Sequence, residues 1–128
     1  MNYEFYLDFP PTVNNYYVKT NRGIYISQKG RKYRHLVAEA INGQMPGVHI
    51  TEPMLLEVIL YPPDLRKRDL DNYMKSLLDA ITQAGLWEDD SLINQLFIYR
   101  GEKVAASGSV YVKIGEAAPI LPKGYKLD

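Results

Sequence analysis

The stretch that most constrains this chain begins with the apolar run MLLEVILY, residues 54–61, which is broken only by Glu57 and stopped by Pro62-Pro63-Asp64. Its branched and aromatic residues predict a central strand. Three cations follow at once, Arg66, Lys67 and Arg68, and then Asp69-Leu70-Asp71-Asn72. Leu70, Met74, Leu77, Leu78 and Ile81 recur at helical spacing, which predicts a helix from about 69 to 84. Gly85 closes it, since glycine tolerates the left-handed conformation past a helix end. A second acidic pair, Asp89-Asp90, precedes the next apolar run. Two carboxylates thus open a helix, cations precede them, and more carboxylates lie one helix away.

The other elements arrange themselves around this unit. Tyr3 to Phe9 alternates loosely and reads as a strand ended by Pro10-Pro11, and Thr12 to Asn15 is turn-like. Asn21-Arg22-Gly23 separates Tyr16-Tyr17-Val18 from Ile24-Tyr25-Ile26, the pattern of a short hairpin or flap. Ser27 suits the N-cap of a second helix. Its apolar stripe is Tyr33, Leu36, Val37, Ala40 and Ile41, its other face carries Arg31, Lys32, Arg34 and His35, and Asn42-Gly43 stops it. Gly30 should weaken its first turn, and residues 42–53 read as a loop. Leu92 to Arg100 and Ser109 to Ile114 are expected to pair as an antiparallel hairpin across a long loop. The expected fold is α+β, a mixed four-stranded sheet with two main helices on one face. Residues 1–128 should form one domain, with 115–128 an irregular C-terminal tail.

Several classes are excluded or disfavoured. With no cysteine there is no disulfide and no thiolate metal site. The N-terminus lacks a charged segment followed by a long apolar stretch, and no run approaches a membrane span, so a cytoplasmic protein without a membrane partner is expected. Net charge is zero, but the charge is segregated. No acidic residue stands between Asp8 and Glu39, whereas Lys19, Arg22, Lys29, Arg31, Lys32 and Arg34 do. Such a segment can present a positive face to a polyanion.

The acidic positions admit two readings. A lone Asp at a helix start is among the best N-caps and complements the helix dipole. Asp69 and Asp71 cannot both be that cap, and capping gives no role to the cations before them. The alternative is a hard divalent cation such as Mg²⁺, which takes one or two carboxylates plus water and phosphate oxygens. Asp69 and Asp71, with one of the later pair, would supply these. Lys75, four residues after Asp71, either forms an ordinary helical ion pair worth roughly 0.3–0.5 kcal/mol or faces a phosphate. Asp79 is expected to be solvated, and His35 and His49 stand apart from the acidic clusters. Carboxylates, a lysine and a basic approach together suggest metal-assisted phosphodiester hydrolysis.

The stretch KRDLDNYMKSLLDAITQAGLWEDD resembles the core of the RusA family of Holliday-junction resolvases. The order matches: basic run, D-L-D-N, a lysine four residues on, helix, A-G-apolar-W and an acidic pair. FPPTVNNYY resembles the family's Pro-Pro and Asn-rich loop, and the likeness spans residues from about 3 to 114. It implies a Mg²⁺-dependent homodimeric endonuclease acting on branched DNA, with no small-molecule cofactor, from a bacterial, phage or prophage source. By position, Asp69, Asp71 and Asp90 match the family's metal-binding carboxylates and Lys75 its catalytic lysine. Val13, Asn14, Asn15 and Tyr16, and the stretch Leu65 to Asn72 with Arg66, Lys67, Arg68 and Asn72, match its DNA-contacting segments. The basic run is shorter here, Leu65 occupying its first position. A dimer would place one active site on each of the two symmetry-related strands of a junction. Tyr16, Tyr17 and Tyr25 are either half-buried strand residues or platforms for unpaired bases. Two rivals remain: another Mg²⁺-dependent nuclease acting on flaps or branches, and a non-catalytic DNA-binding module whose carboxylates merely cap helices.

Overall fold

The computed structural model describes residues 1–104 and 106–126. In chain order the elements are β1 (Asn2–Leu7), α1 (Val13–Tyr16), β2 (Tyr17–Thr20), β3 (Gly23–Ile26), α2 (Gln28–Gln44), β4 (Met54–Tyr61), α3 (Asp71–Ala84), β5 (Ile93–Arg100) and β6 (Ser109–Glu116). A 3₁₀ turn, Asp90–Leu92, leads into β5. The fold is α+β, as expected. One mixed four-stranded sheet runs β1-β6-β4-β5, and β2-β3 form a separate two-stranded hairpin.

Strand β4 alternates buried Met54, Leu56, Val58 and Leu60 with half-buried neighbours. Its buried residues lie in register with Val110, Val112 and Ile114 of β6, and these in turn with Phe5 and Leu7 of β1. Helices α2 and α3 cover this face with Tyr33, Val37, Ile41, Leu77 and Ile81. Leu77 and Ile81 are fully buried, each worth about 1.5–3 kcal/mol of apolar transfer. The opposite face carries Glu4, Tyr6, Glu57, Tyr111 and Lys113.

The two C-terminal strands do not form a hairpin. β5 pairs in parallel with one edge of β4, and β6 pairs antiparallel with its other edge and with β1. Strand, helix, strand is the order of a parallel crossover unit, so β4-α3-β5 follows a common rule. The intervening segment 101–108 is longer than a tight hairpin needs. Crossing β4 requires a span of roughly 10 Å, two inter-strand spacings, which eight residues reach easily. Ala105 of that segment and the last two residues of the expected tail lie outside the described residues. β6 itself continues through Glu116, two residues beyond the expected end.

Helix α2 also runs past Asn42-Gly43 to Gln44. Buried Met45 donates its backbone N–H to the Ile41 carbonyl at 2.7 Å. The Gln44 amide meanwhile brackets the outer edge of β1, accepting from Tyr6 N at 2.9 Å and donating to Tyr6 O at 2.7 Å. These contacts outweigh the roughly 1 kcal/mol cost of a helical glycine. Gly30 has the opposite meaning from that expected. A Cβ there would stand 2.4 Å from the Tyr16 carbonyl, so glycine lets α2 approach α1.

Candidate active site

The site forms where α1 and the loop before α3 meet the start of α3. Ser27 organises α1. Its hydroxyl donates to the carbonyls of Asn15 (2.5 Å) and Tyr16 (2.9 Å) and accepts from Gly30 N at 2.9 Å, capping α2. Ser76, buried on α3, donates to the Pro11 carbonyl at 2.5 Å and so ties the Pro10-Pro11 loop to the helix.

Neither aspartate at the head of α3 serves as its cap. The N-cap position is Leu70, with helical φ −59° and ψ −40° and no side-chain cap bond. Asp69 and Asp71 are both exposed. Their carboxylates appear in no hydrogen bond or ion pair among the described residues. Asp89 and Asp90 divide differently. Asp89 caps the 3₁₀ turn by accepting from Ser91 N at 3.0 Å, and its bonds to Ser91 hold its carboxyl below the ordinary range. Asp90 is exposed and uncommitted, within electrostatic reach of Tyr17.

These oxygen donors suit a hard cation. Among the described residues, however, no three acidic or histidine side chains converge closely enough to hold a metal. The expected trio of Asp69, Asp71 and Asp90 is therefore not assembled as one cage within the single chain. The pair at the head of α3 fits a cation completed by water and phosphate oxygens. The histidines stand apart, His49 between the Gly85 carbonyl and Glu88, and His35 beside Glu39.

Lys75 makes no ion pair with Asp71. Its ammonium lies 5.4 Å from the centroid of the Tyr17 ring. Tyr17 packs edge-on against Tyr16 with centroids 4.8 Å apart. Tyr16 is fully buried, so its ring is not available as a platform for DNA. Its hydroxyl donates to Asp79 and accepts from Arg34 Nε at 2.7 Å. Arg34 completes the triangle through Nη2 to Asp79 Oδ2 at 2.8 Å. Asp79 is thus a paired, three-quarters-buried carboxylate, not a solvated one. Burial first, and then the bond to Asp79, push the Tyr16 hydroxyl well above its ordinary pKa.

The basic run divides too. The Arg68 side chain is only 10% exposed, chelated to Asp64 at 2.5 and 2.9 Å, with its guanidinium 5.9 Å from the Phe9 centroid. Arg66 also reaches Asp64, at 3.1 Å, but is 79% exposed, and Lys67 is exposed without an ion pair among the described residues. Arg68, and secondarily Arg66, hold the Asp64 carboxyl far below the usual range. One cleft runs between Phe9 to Thr12, Asn15 and Arg66 to Arg68. A second joins Thr12, Lys67, Asp69, Asn72 and Arg100, and a third joins Val13, Asn14, Tyr17, Lys19, Ile24 and Lys75.

The sequence also matches the family model described as endodeoxyribonuclease RusA over residues 8–115. The chain belongs to the RusA family. It is 39% identical over 114 residues to the crossover junction endodeoxyribonuclease of Enterobacteria phage HK97, covering 89% of this chain and 94% of that protein. The phage 82 counterpart is 41% identical and that of Escherichia coli K12 39%, each over 92 residues, 71% of this chain and 76% of theirs.

Three residues that line these clefts were not among the candidates singled out in the sequence. Thr12 lines two of the clefts, Arg100 sits at the far end of β5, and Lys19 lies beside Lys75. Lys19 belongs to the basic segment and was legible as charge. Arg100 carried no local signal, since only the parallel pairing of β5 brings it to the head of α3.

Proposed function

We propose that this chain is a Mg²⁺-dependent endodeoxyribonuclease that resolves Holliday junctions by paired phosphodiester hydrolysis, working as a homodimer in DNA recombination and repair. The relatives named as crossover junction endodeoxyribonucleases support the reaction. The observation that carries it is a helix whose two opening carboxylates form no cap bond or ion pair among the described residues, with a lysine one turn on whose ammonium lies beside the Tyr17 ring. Asp69 and Asp71 would hold the cation, and Asp90, exposed near Tyr17, would join them only if it moved toward the head of α3. A divalent cation held there would supply a water of lowered pKa and offset charge on the phosphate. Lys75 donates to the phosphoryl oxygens as charge builds there. Arg66, Lys67, Asn72 and the α1 loop with Asn14 and Asn15 contact flanking phosphates. Arg68 and Tyr16 act indirectly, by holding the two loops in place.

The dimer is supported by the sheet edges. Among the described residues β5 has no strand on its outer side and exposes Leu96 (41%), Phe97 (43%) and Tyr99 (49%), whereas Gln44 brackets Tyr6 on the outer side of β1. A long apolar edge left open invites a second copy. No described helix is long and apolar enough to cross a membrane, and the proposed place of work is the cytoplasm.

The test is single-turnover cleavage of a fixed four-way junction, a flap and a linear duplex, with and without Mg²⁺. Junction cleavage only with Mg²⁺, lost in Asp71→Asn with binding kept or tightened, is the expected result. Preference for the flap would make the chain a different branched-DNA nuclease. Equal binding without Mg²⁺ and no cleavage of any substrate would make it a binding module.

A further inference from the structure

Beside Lys75, α1 and the β2-β3 hairpin flank an open cleft of about 430 Å³, lined by Val13, Asn14, Tyr17, Lys19, Ile24 and Lys75. This is the size of a small-molecule site rather than a surface dimple. Its chemistry is mixed in a particular way. One wall is an aromatic ring and two branched apolar side chains, one lining group is an amide, and the remaining two are ammoniums. No carboxylate lines it. Ile24 is 67% exposed, on a hairpin that pairs with no other strand among the described residues. A phosphate alone would leave the apolar wall without a partner, and a stacked base pair buries the faces of its bases within the duplex. An unpaired base attached to a flanking phosphate matches every lining group: its face the ring and aliphatic wall, its edge the Asn14 amide, its phosphate the two lysines.

Resting on the reading of the site as a junction nuclease, we infer that this cleft receives one unpaired nucleobase of the branched DNA, stacked on Tyr17, and that Lys75 then leaves the ring for the adjacent phosphate. In the free chain the Lys75 ammonium is held over the Tyr17 ring, the surface on which the base must lie. Base arrival displaces it, and the nearest new partner is the phosphate that arrives with the base. Duplex DNA, whose bases leave the stack only at a cost, does not release the lysine. A base at a branch point leaves more readily. The cleft thereby links recognition of an unpaired base to the charge that assists cleavage.

The experiment scans a single abasic nucleotide through the positions flanking the branch point on the cleaved strand. Wild type, Ile24→Asn and Tyr17→Leu are compared by single-turnover cleavage in Mg²⁺ and by equilibrium binding in Ca²⁺. Ile24 is exposed, so its variant keeps the fold even if Tyr17→Leu does not, and thermal melts check both. One abasic position is expected to slow the wild type about tenfold, the scale of losing one base–aromatic stack. Each variant should slow the intact junction by a similar factor, yet cut the junction abasic at that position no more slowly than wild type does. The inference is overturned if wild type tolerates an abasic site at every position, or if the variants slow intact and abasic junctions equally. If wild type cuts nothing in Mg²⁺, the nuclease reading fails on its own. The binding scan then decides the base site by the same comparison of affinities.

Discussion

Replacing Asp79 by Ala tests whether the Tyr16–Arg34–Asp79 triangle holds the site loop. The carboxylate takes the Tyr16 hydroxyl and the Arg34 guanidinium, with Nη2 at 2.8 Å and Nε at 3.2 Å. Side-chain exposure is 28% for Arg34 and 25% for Asp79. A fully exposed pair is worth about 0–1 kcal/mol, and breaking a fully buried one costs about 3–5 kcal/mol. At a quarter exposed, water replaces part of what is lost, and the expected cost is about 2 kcal/mol. For a chain of this length that is a fall in Tm of about 8 °C. Arg34→Ala should cost a similar amount, since its stem also packs over Tyr16 with the guanidinium carbon 5.6 Å from the centroid. The double variant should cost about 1–2 kcal/mol less than the sum, because the second change removes a group already stranded by the first. Thermal melts of the four proteins measure the cycle, and junction cleavage by the single variants should slow because Tyr17 loses its support. Single variants that melt within about 2 °C of wild type, or strictly additive losses, would refute a coupled triangle.

The remaining predictions concern the charges facing DNA. Lys75→Ala should slow single-turnover cleavage by roughly 10²-fold, the scale of losing one preorganised donor, with the melting temperature barely changed; a normal rate would leave Lys75 no role beyond its contact with Tyr17. Arg66 and Lys67 neutralised together should weaken junction affinity and flatten its salt dependence, through fewer counterions released, without affecting folding. Arg68→Ala should instead lower the melting temperature, because it strands Asp64 and uncovers Phe9. Equal salt slopes for all three cationic variants would contradict this division.

Local pattern carried the sequence reading as far as local forces decide the structure. β4 and α3 came out at nearly their observed limits because a near-continuous apolar run of eight residues and a full helical stripe leave few options. The carboxylates at the head of α3 were visible, but whether they cap the helix depends on the Leu70 backbone, which no pattern reveals. Asp79 lies on the rim of the helical stripe, and its partner Arg34 stands 45 residues earlier, so its burial could not be seen. The partner of β5 was misjudged for the same reason, since pairing across a sheet is decided by non-local burial rather than by sequence adjacency. Gly30 looked like a weakness because propensity describes a helix in water, whereas its neighbour here is a carbonyl of another element.

The Gln44 amide on β1 has a consequence for assembly. A sheet with two open margins can add copies indefinitely, and the product is a fibre. Among the described residues this sheet has an unpaired margin at β5 and one at β1 where Gln44 already takes both backbone groups of Tyr6. Two copies joined through β5 would leave outside only margins where Tyr6 is already bracketed, which disfavours further addition. Gln44→Ala would free the Tyr6 backbone at that margin and should raise the tendency to add further copies.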